Sequence, residues 1–280
     1  MKFKLSILLF STVLFADSQR IIALAPSINE ILFALGKKDS IVGNTTYATY
    51  PKEAQKKAKV GGYFSVSLEK IVALKPTLVL MQKNNLPLKP KLEKLGIKTE
   101  FIKISSLKDI KQGILKIGAL THANKEATTI TREIDKALFT TKDILKDKKI
   151  LIVFGRQFDL KKEVYVSGNN IYFADIIKAS NNKNAYEENS TKQPTLSYEG
   201  VLACNPDIIY ILAHTVADEE DAKKMIAPWL KLPITAAKAK TIYVTTKKYA
   251  GMPSQRVVYF IKDFKEVLED AKSKLSKLQD

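Results

Sequence analysis

Residues 67–81 read SLEKIVALKPTLVLM, and residues 197–211 read SYEGVLACNPDIIYI; the two stretches align without a gap at an offset of 130. Ser67 matches Ser197, Glu69 matches Glu199, Ala73 matches Ala203 and Pro76 matches Pro206. Each copy reads as a short helix followed by a strand. Serine is a strong N-cap, because its hydroxyl accepts from an otherwise unpaired backbone N–H of the first turn. A glutamate in that turn faces the positive end of the helix dipole. The proline cannot continue the helix. The apolar, partly β-branched run beyond it suits a strand buried on both faces, as parallel strands are.

The context of each copy repeats as well. RIIALA (20–25) is a strand pattern, followed by a helix from Ser27 to Gly36. KILIVFG (149–155) opens the second half in the same way, with a helix in NNIYFADIIKA (169–179). Further strands are expected at 41–43, 99–103 and 241–245, and helices at 88–95, 107–120 and 255–275. This alternation predicts an α/β protein of two Rossmann-like lobes with parallel central sheets. Between them lies NKEATTITREIDKALFTTKDILKDK (124–148), with Ile130, Ile134, Leu138 and Leu145 near helical spacing and no Pro or Gly. It is expected to form one continuous connecting helix. The organisation is therefore an N-terminal lobe at 17–123, the connecting helix at 124–148 and a C-terminal lobe at 149–280. A ligand cleft belongs between the lobes, near the carboxyl ends of the strands.

Composition narrows the function. The 280 residues are 45% apolar and 27% charged, which is ordinary for a globular protein. Lys and Arg total 46 against 29 Asp and Glu, a formal charge of +17. Only Arg20, Arg132, Arg156 and Arg256 are arginines. The lysines are scattered, with no block of about five or six like charges, and sequence readers of nucleic acid favour the arginine fork. They are read as a solvated surface. Cys204 is the one cysteine, which excludes a disulfide framework and a cysteine zinc site. No Gly-rich phosphate loop and no G-x-S-x-G elbow is present, so no enzyme is expected.

Residues 1–16, MKFKLSILLFSTVLFA, carry Lys2 and Lys4 ahead of an apolar run from Leu5 to Phe15, with Ala16 as a small residue for cleavage. That run is too short to span a bilayer and suits a secretory signal peptide. Export to the periplasm as a soluble monomer is expected, without a lipid anchor because no cysteine follows the run.

The chain resembles the helical-backbone class of periplasmic substrate-binding proteins of ABC importers, which serve vitamin B12, haem and ferric siderophores. The resemblance runs from RIIALAPSINEILFALG through TTYATYP, VGGYFSVSLEKIVALKPTLVL and LSYEGVLACNPDIIYI to MPSQRVVYFIKDF. Within the class the vitamin B12-binding branch is most similar, by TTYATYP and the two glutamate segments. The resemblance implies capture of a cobalt or iron chelate as cargo, no permanently bound cofactor, and delivery to an inner-membrane permease with its ATPase. It also implies that Glu69 and Glu199, one per lobe, dock onto permease arginines. The alternatives are an exported binding or adhesive module uncoupled from transport, and a metal-dependent enzyme.

Candidate ligand contacts follow from strand-end loops. Tyr47 and Tyr50 lie in TTYATYP (45–51), and Tyr63 and Phe64 in GGYFS (61–65). Loop aromatics suit a planar or bulky apolar ligand. Arg156, in FGRQFD (154–159), is expected to face the cleft and suits anionic oxygens. Tyr249, in TTKKYAGMP (245–253), matches a ligand-contact loop of the family. An axial metal ligand would have to come from His122, His214 or a tyrosinate at Tyr47, Tyr50 or Tyr63. HTVADEED (214–221) lacks the glycine and alternating oxygens of a calcium loop, and no resident metal site is expected. Trp229, in IAPWLKLP, reads as structural, so the aromatic character of a cobalamin binder is thin.

Overall fold

The computed structural model describes residues 19–155, 159–160, 162–188, 193–213 and 219–278. In the first lobe, β1 (Ile21–Ala23), β2 (Ile41–Asn44), β3 (Ala58–Lys59), β4 (Leu78–Met81) and β5 (Lys98–Phe101) form a parallel sheet in the order β3-β2-β1-β4-β5. Helices α1 (Pro26–Ala34), α2 (Leu68–Ala73) and α3 (Lys89–Lys94) lie between them, and α4 (Leu107–Leu120) follows β5. Helix α5 (Asn124–Phe139) follows.

The second lobe contains β6 (Lys149–Phe154), β7 (Val164–Val166), α6 (Tyr172–Ala179), β8 (Lys183–Asn184), β9 (Thr195–Leu196), α7 (Tyr198–Cys204), β10 (Ile208–Leu212), α8 (Glu219–Trp229), α9 (Thr235–Ala239), β11 (Ile242–Thr245) and α10 (Val257–Ser276). Its parallel core is β11-β10-β6, with β8 parallel beside the start of β6. Unlike the first sheet it is extended by antiparallel strands, β7 on β6 and β9 on β7.

The repeat folds as its residues dictate. Ser67 caps α2 by accepting from the Lys70 N–H, and Ser197 caps α7 by accepting from the Gly200 N–H. Beyond α2 and α7 the chain turns through left-handed residues, Lys75 and Asn205, just before Pro76 and Pro206. Both copies then deliver a strand next to the first strand of their own sheet, β4 beside β1 and β10 beside β6.

Alternate residues of each strand serve different cores. Ile21, Leu78, Ile150, Ile152 and Ile208 join one cluster with Ile134 of α5, Phe173 of α6 and Phe260 of α10. Ile22, Val79 and Met81 face a second cluster in the first lobe. Leu151, Val153, Ile209 and Ile211 face a third in the second lobe, where Trp229 is fully buried. The first cluster therefore belongs to both lobes.

The connecting helix is shorter than its periodicity suggests. It spans Asn124–Phe139, and 140–147 is a run of turns that includes Leu145. The Thr140 and Thr141 hydroxyls donate to the Ala137 and Leu138 carbonyls, both at 2.7 Å. Asp143 and Asp147 adopt left-handed backbone conformations. Such local hydroxyl bonds offer the backbone an alternative to the helix.

A polar clasp joins the lobes. Glu30 of α1 and Arg256, at the start of α10, are 2% and 7% exposed. Arg256 Nε donates to Glu30 Oε2 at 2.9 Å, and Arg256 Nη2 donates to Glu30 Oε1. The Ser254 hydroxyl donates to Glu30 Oε2 at 2.7 Å. The Tyr50 ring covers the guanidinium at 4.0 Å. A second seam lies at the entrance to α4, where the Leu107 N–H donates to Asp175 Oδ2 at 2.7 Å. The Tyr172 N–H donates to the Ser105 carbonyl at 2.9 Å.

Removing one member of a buried pair strands the other charge. Glu30→Ala is expected to cost about 3–5 kcal/mol of unfolding free energy. The double variant Glu30→Leu/Arg256→Met is expected to recover most of it. Urea denaturation of the wild type, the single and the double variant measures both.

Candidate functional site

A cleft of about 500 Å³ opens between the lobes. Its first wall comes from residues just past the carboxyl ends of the strands, Ser27 after β1, Tyr47 after β2, Gln82 after β4 and Ile104 after β5. Tyr63 and Phe64, in the loop before α2, complete that wall. Gly251, Met252 and Pro253, after β11, form the opposite wall on the second lobe. A larger recess of about 970 Å³ adjoins it and shares Tyr63, Phe64, Gln82 and Ile104.

Tyr63 is fixed and Phe64 is presented. The Tyr63 hydroxyl donates to Gln82 Oε1 at 2.5 Å, and Gln82 Nε2 donates to Ser27 Oγ at 2.9 Å. Asn84 Nδ2 donates to the Tyr63 carbonyl at 2.6 Å. Burial raises the Tyr63 phenol above its ordinary pKa, so it stays neutral at physiological pH. Phe64 packs edge-on against Tyr63, with ring centroids 4.8 Å apart, yet is 84% exposed. Tyr47 is 65% exposed. A wall of exposed aromatic faces on a pinned base can stack on a flat or bulky apolar ligand.

Two expected contacts lie elsewhere. Tyr50 lines a separate depression with Glu30 and Arg256, because the buried guanidinium captures its ring. Tyr249 donates its hydroxyl to Asp263 Oδ2 at 2.8 Å and packs on Tyr259. Its loop reaches the cleft through Gly251, Met252 and Pro253 instead. Arg156 and His214 lie outside the described residues. His122 is exposed in a left-handed turn before α5 and does not line the cleft. Among the described residues, no group of three His, Cys, Asp or Glu is placed to hold a metal ion.

Glu69 and Glu199 occupy equivalent positions, each exposed in the first turn of its helix, α2 and α7. The Glu199 carboxyl is held below its usual range by a bond from its own backbone N–H and by the Ser197 hydroxyl. In a lysine-rich chain, neither acid forms an ion pair with a described residue.

The sequence profile of the periplasmic binding protein family matches residues 21–249. The chain belongs to this family. A vitamin B12-binding protein of Vibrio parahaemolyticus is 25% identical over 271 residues, 95% of this chain and 96% of that protein. Among solved structures, the periplasmic vitamin B12 binding protein of Vibrio cholerae superposes with a TM-score of 0.75 at 21% identity, covering 90% of this chain and 97% of that one. A periplasmic haem-binding protein in complex with two haems superposes with a TM-score of 0.73 at 18% identity, covering 91% and 99%. These likenesses confirm the two-lobed α/β fold.

Within this family member, Gln82, Ser27 and Met252 went unnoticed in the sequence. Gln82 alone had a signal, as the first polar residue after the buried run of β4. Phe64→Ala is expected to leave unfolding free energy within about 0.5 kcal/mol, because the ring is a surface group. Gln82→Leu is expected to cost about 1–3 kcal/mol, because the Tyr63 hydroxyl loses its acceptor. Thermal melts of the two variants check the contrast.

Proposed function

We propose that this protein is the exported substrate-binding component of an ABC importer. It captures a cobalt or iron chelate in the interlobe cleft and hands it to a membrane permease. The observation that carries this is the combination of one cleft with two outward acids. Tyr47 and Phe64 expose aromatic faces between the lobes, and Glu69 and Glu199 stand at repeat-related positions, one per lobe. A permease face with two matching basic sites would engage both lobes at once. Family membership supports the carrier role, and the named binding of vitamin B12 and haem by relatives supports a metal chelate as cargo. Among the described residues no helix is long and apolar enough to cross a membrane.

Nothing in this role calls for bond-making chemistry. Tyr63 is a neutral hydrogen-bonded phenol, and the half-buried Cys204 thiol is pushed up by desolvation and stands apart from the cleft. The protein's work is binding, orientation and presentation. The chelate itself supplies the metal and its ligands.

Glu69→Ala/Glu199→Ala is expected to abolish chelate-dependent growth while leaving the dissociation constant within about twofold, since surface changes far from a site act almost independently. Growth of a strain carrying the variant, together with titration of the purified protein, decides this; undiminished import overturns the docking assignment. Because the lobes share a core, ligand binding is expected to change the radius of gyration by under about 1 Å, on the small scale of pre-organised binding sites. Small-angle scattering with and without ligand measures it.

A further inference from the structure

A depression of about 370 Å³ lies beside the clasp, separate from the interlobe cleft. It draws on both lobes and on the helix between them. Phe33 comes from α1, Glu53 from the turn after Tyr50, Ile130 and Glu133 from α5, and Val258 and Tyr259 from α10. Its volume falls in the range of small-molecule pockets, roughly 300–1,000 Å³.

Three features of its lining ask for the same partner. The first is charge. Glu30 and Arg256 line the depression but neutralise each other within the clasp. Glu53 and Glu133 against Lys38 then leave one negative charge in excess. None of these three forms an ion pair with a described residue. The acidic depression over β11 differs, because Asp263 is paired with Lys247 and Asp270 with Lys274. The second feature is an orphaned acceptor. The Gln255 side chain lines the depression, and its Oε1 is buried without a donor among the described residues. A buried acceptor left unpaired is costly, and a donor that reaches it recovers that cost. The third is aromatic surface. The Tyr259 ring is 44% exposed there, and aromatic faces attract cations.

We propose that this depression is a second binding site, for a small primary amine whose protonated nitrogen is carried on a compact apolar body. The ammonium answers Glu53 and Glu133 and supplies the N–H that Gln255 Oε1 lacks. The body packs on Phe33, Ile130 and Val258. An anion would meet the two acids. A bare metal ion would gain nothing from the apolar lining, and no group of three metal-ligating side chains is present among the described residues. The assignment is independent of what the interlobe cleft carries. Because the lining comes from both lobes beside the clasp, an amine bound here braces the joint and raises the melting temperature by mass action.

The test titrates the full protein calorimetrically with 2-phenylethylamine, 2-phenylethanol and the trimethylammonium analogue of the amine. The amine is expected to bind about tenfold more tightly than the alcohol, as one charge-assisted hydrogen bond allows. The quaternary analogue keeps the charge but has no N–H, and is expected to bind about fivefold more weakly than the amine. Glu53→Gln/Glu133→Gln is expected to bring the amine to within about twofold of the alcohol, and Gln255→Leu to erase the difference between the amine and its quaternary analogue. Thermal melts check that both variants are folded. Methyl resonances of Ile130 and Val258 are expected to shift on binding while those of Ile104 and Met252, in the cleft, stay in place. No saturable binding of the amine below about 10 mM, equal binding of amine and alcohol, an unchanged preference in the double variant, a quaternary analogue as tight as the amine, or shifts confined to the cleft methyls overturns the proposal.

Discussion

The helix layer of α1, α4, α5, α6 and α10 buries the inner face of both sheets in one hydrophobic cluster, and the cleft takes its shape from that sharing. Two lobes with separate cores could swing about a linker. Here Ile134 of α5 and Phe260 of α10 belong to the same packed interior as Ile21 and Ile150. Close-packed interiors resist continuous deformation, so large relative rotation would open voids. The clasp of Glu30, Ser254 and Arg256 is the polar counterpart of that core. A buried ion pair is poor at raising stability but costly to separate, which suits a joint that must keep one geometry. It also sits near the cleft in sequence on both sides. Tyr47 and Tyr50 share one loop, and Pro253 immediately precedes Ser254. The groups that line the cleft are therefore anchored within a few residues by groups that touch each other.

The repeat explains why the exposed first-turn acids come as a pair. A Ser cap fixes the start of α2 and α7, and the first-turn position then points a short carboxylate outward at the same place in both lobes. The helix dipole alone accounts for an acid there. It does not account for the lack, among the described residues, of lysine partners around Glu69 and Glu199, when many other acids of this basic chain have one. Surface acids with no ion-pair partner among the described residues keep their charge available to an incoming cation, at the rate-enhancing range of electrostatic steering.

Most of the scaffold was legible in the sequence because its signals are local. Runs such as LVLM and KILIVF are buried on both faces, and caps and prolines bound them. What escaped depends on contacts distant in the chain or on competition within a turn. Tyr50 reads as a cleft aromatic until Arg256, 206 residues away, claims its ring. Tyr249 likewise is drawn to Asp263 of α10, leaving the smooth stretch Gly251–Met252–Pro253 at the cleft. Helix α5 keeps an apolar period through Leu145, but the hydroxyls of Thr140 and Thr141 end it earlier. Strands β7 and β9 are two or three residues long, too short for alternation to announce them.

Charge sorts the surfaces of this protein by purpose. The positive excess is spread so widely that net charge says little, and meaning lies in where each sign is missing or unpaired. Among the described residues no carboxylate lines the interlobe cavity, so a bound anion meets no repulsion from these. Among the described residues, lysine partners are missing around Glu69 and Glu199. The aromatics follow the same logic. Phe173 and Phe260 pack edge-to-face inside the shared core, whereas Phe64 is held out over the cleft by a tyrosine that is itself hydrogen-bonded through Gln82 to Ser27. Exposing an apolar ring to water is unfavourable. A ring kept exposed by a neighbour with two fixed bonds is best explained by a ligand that covers it.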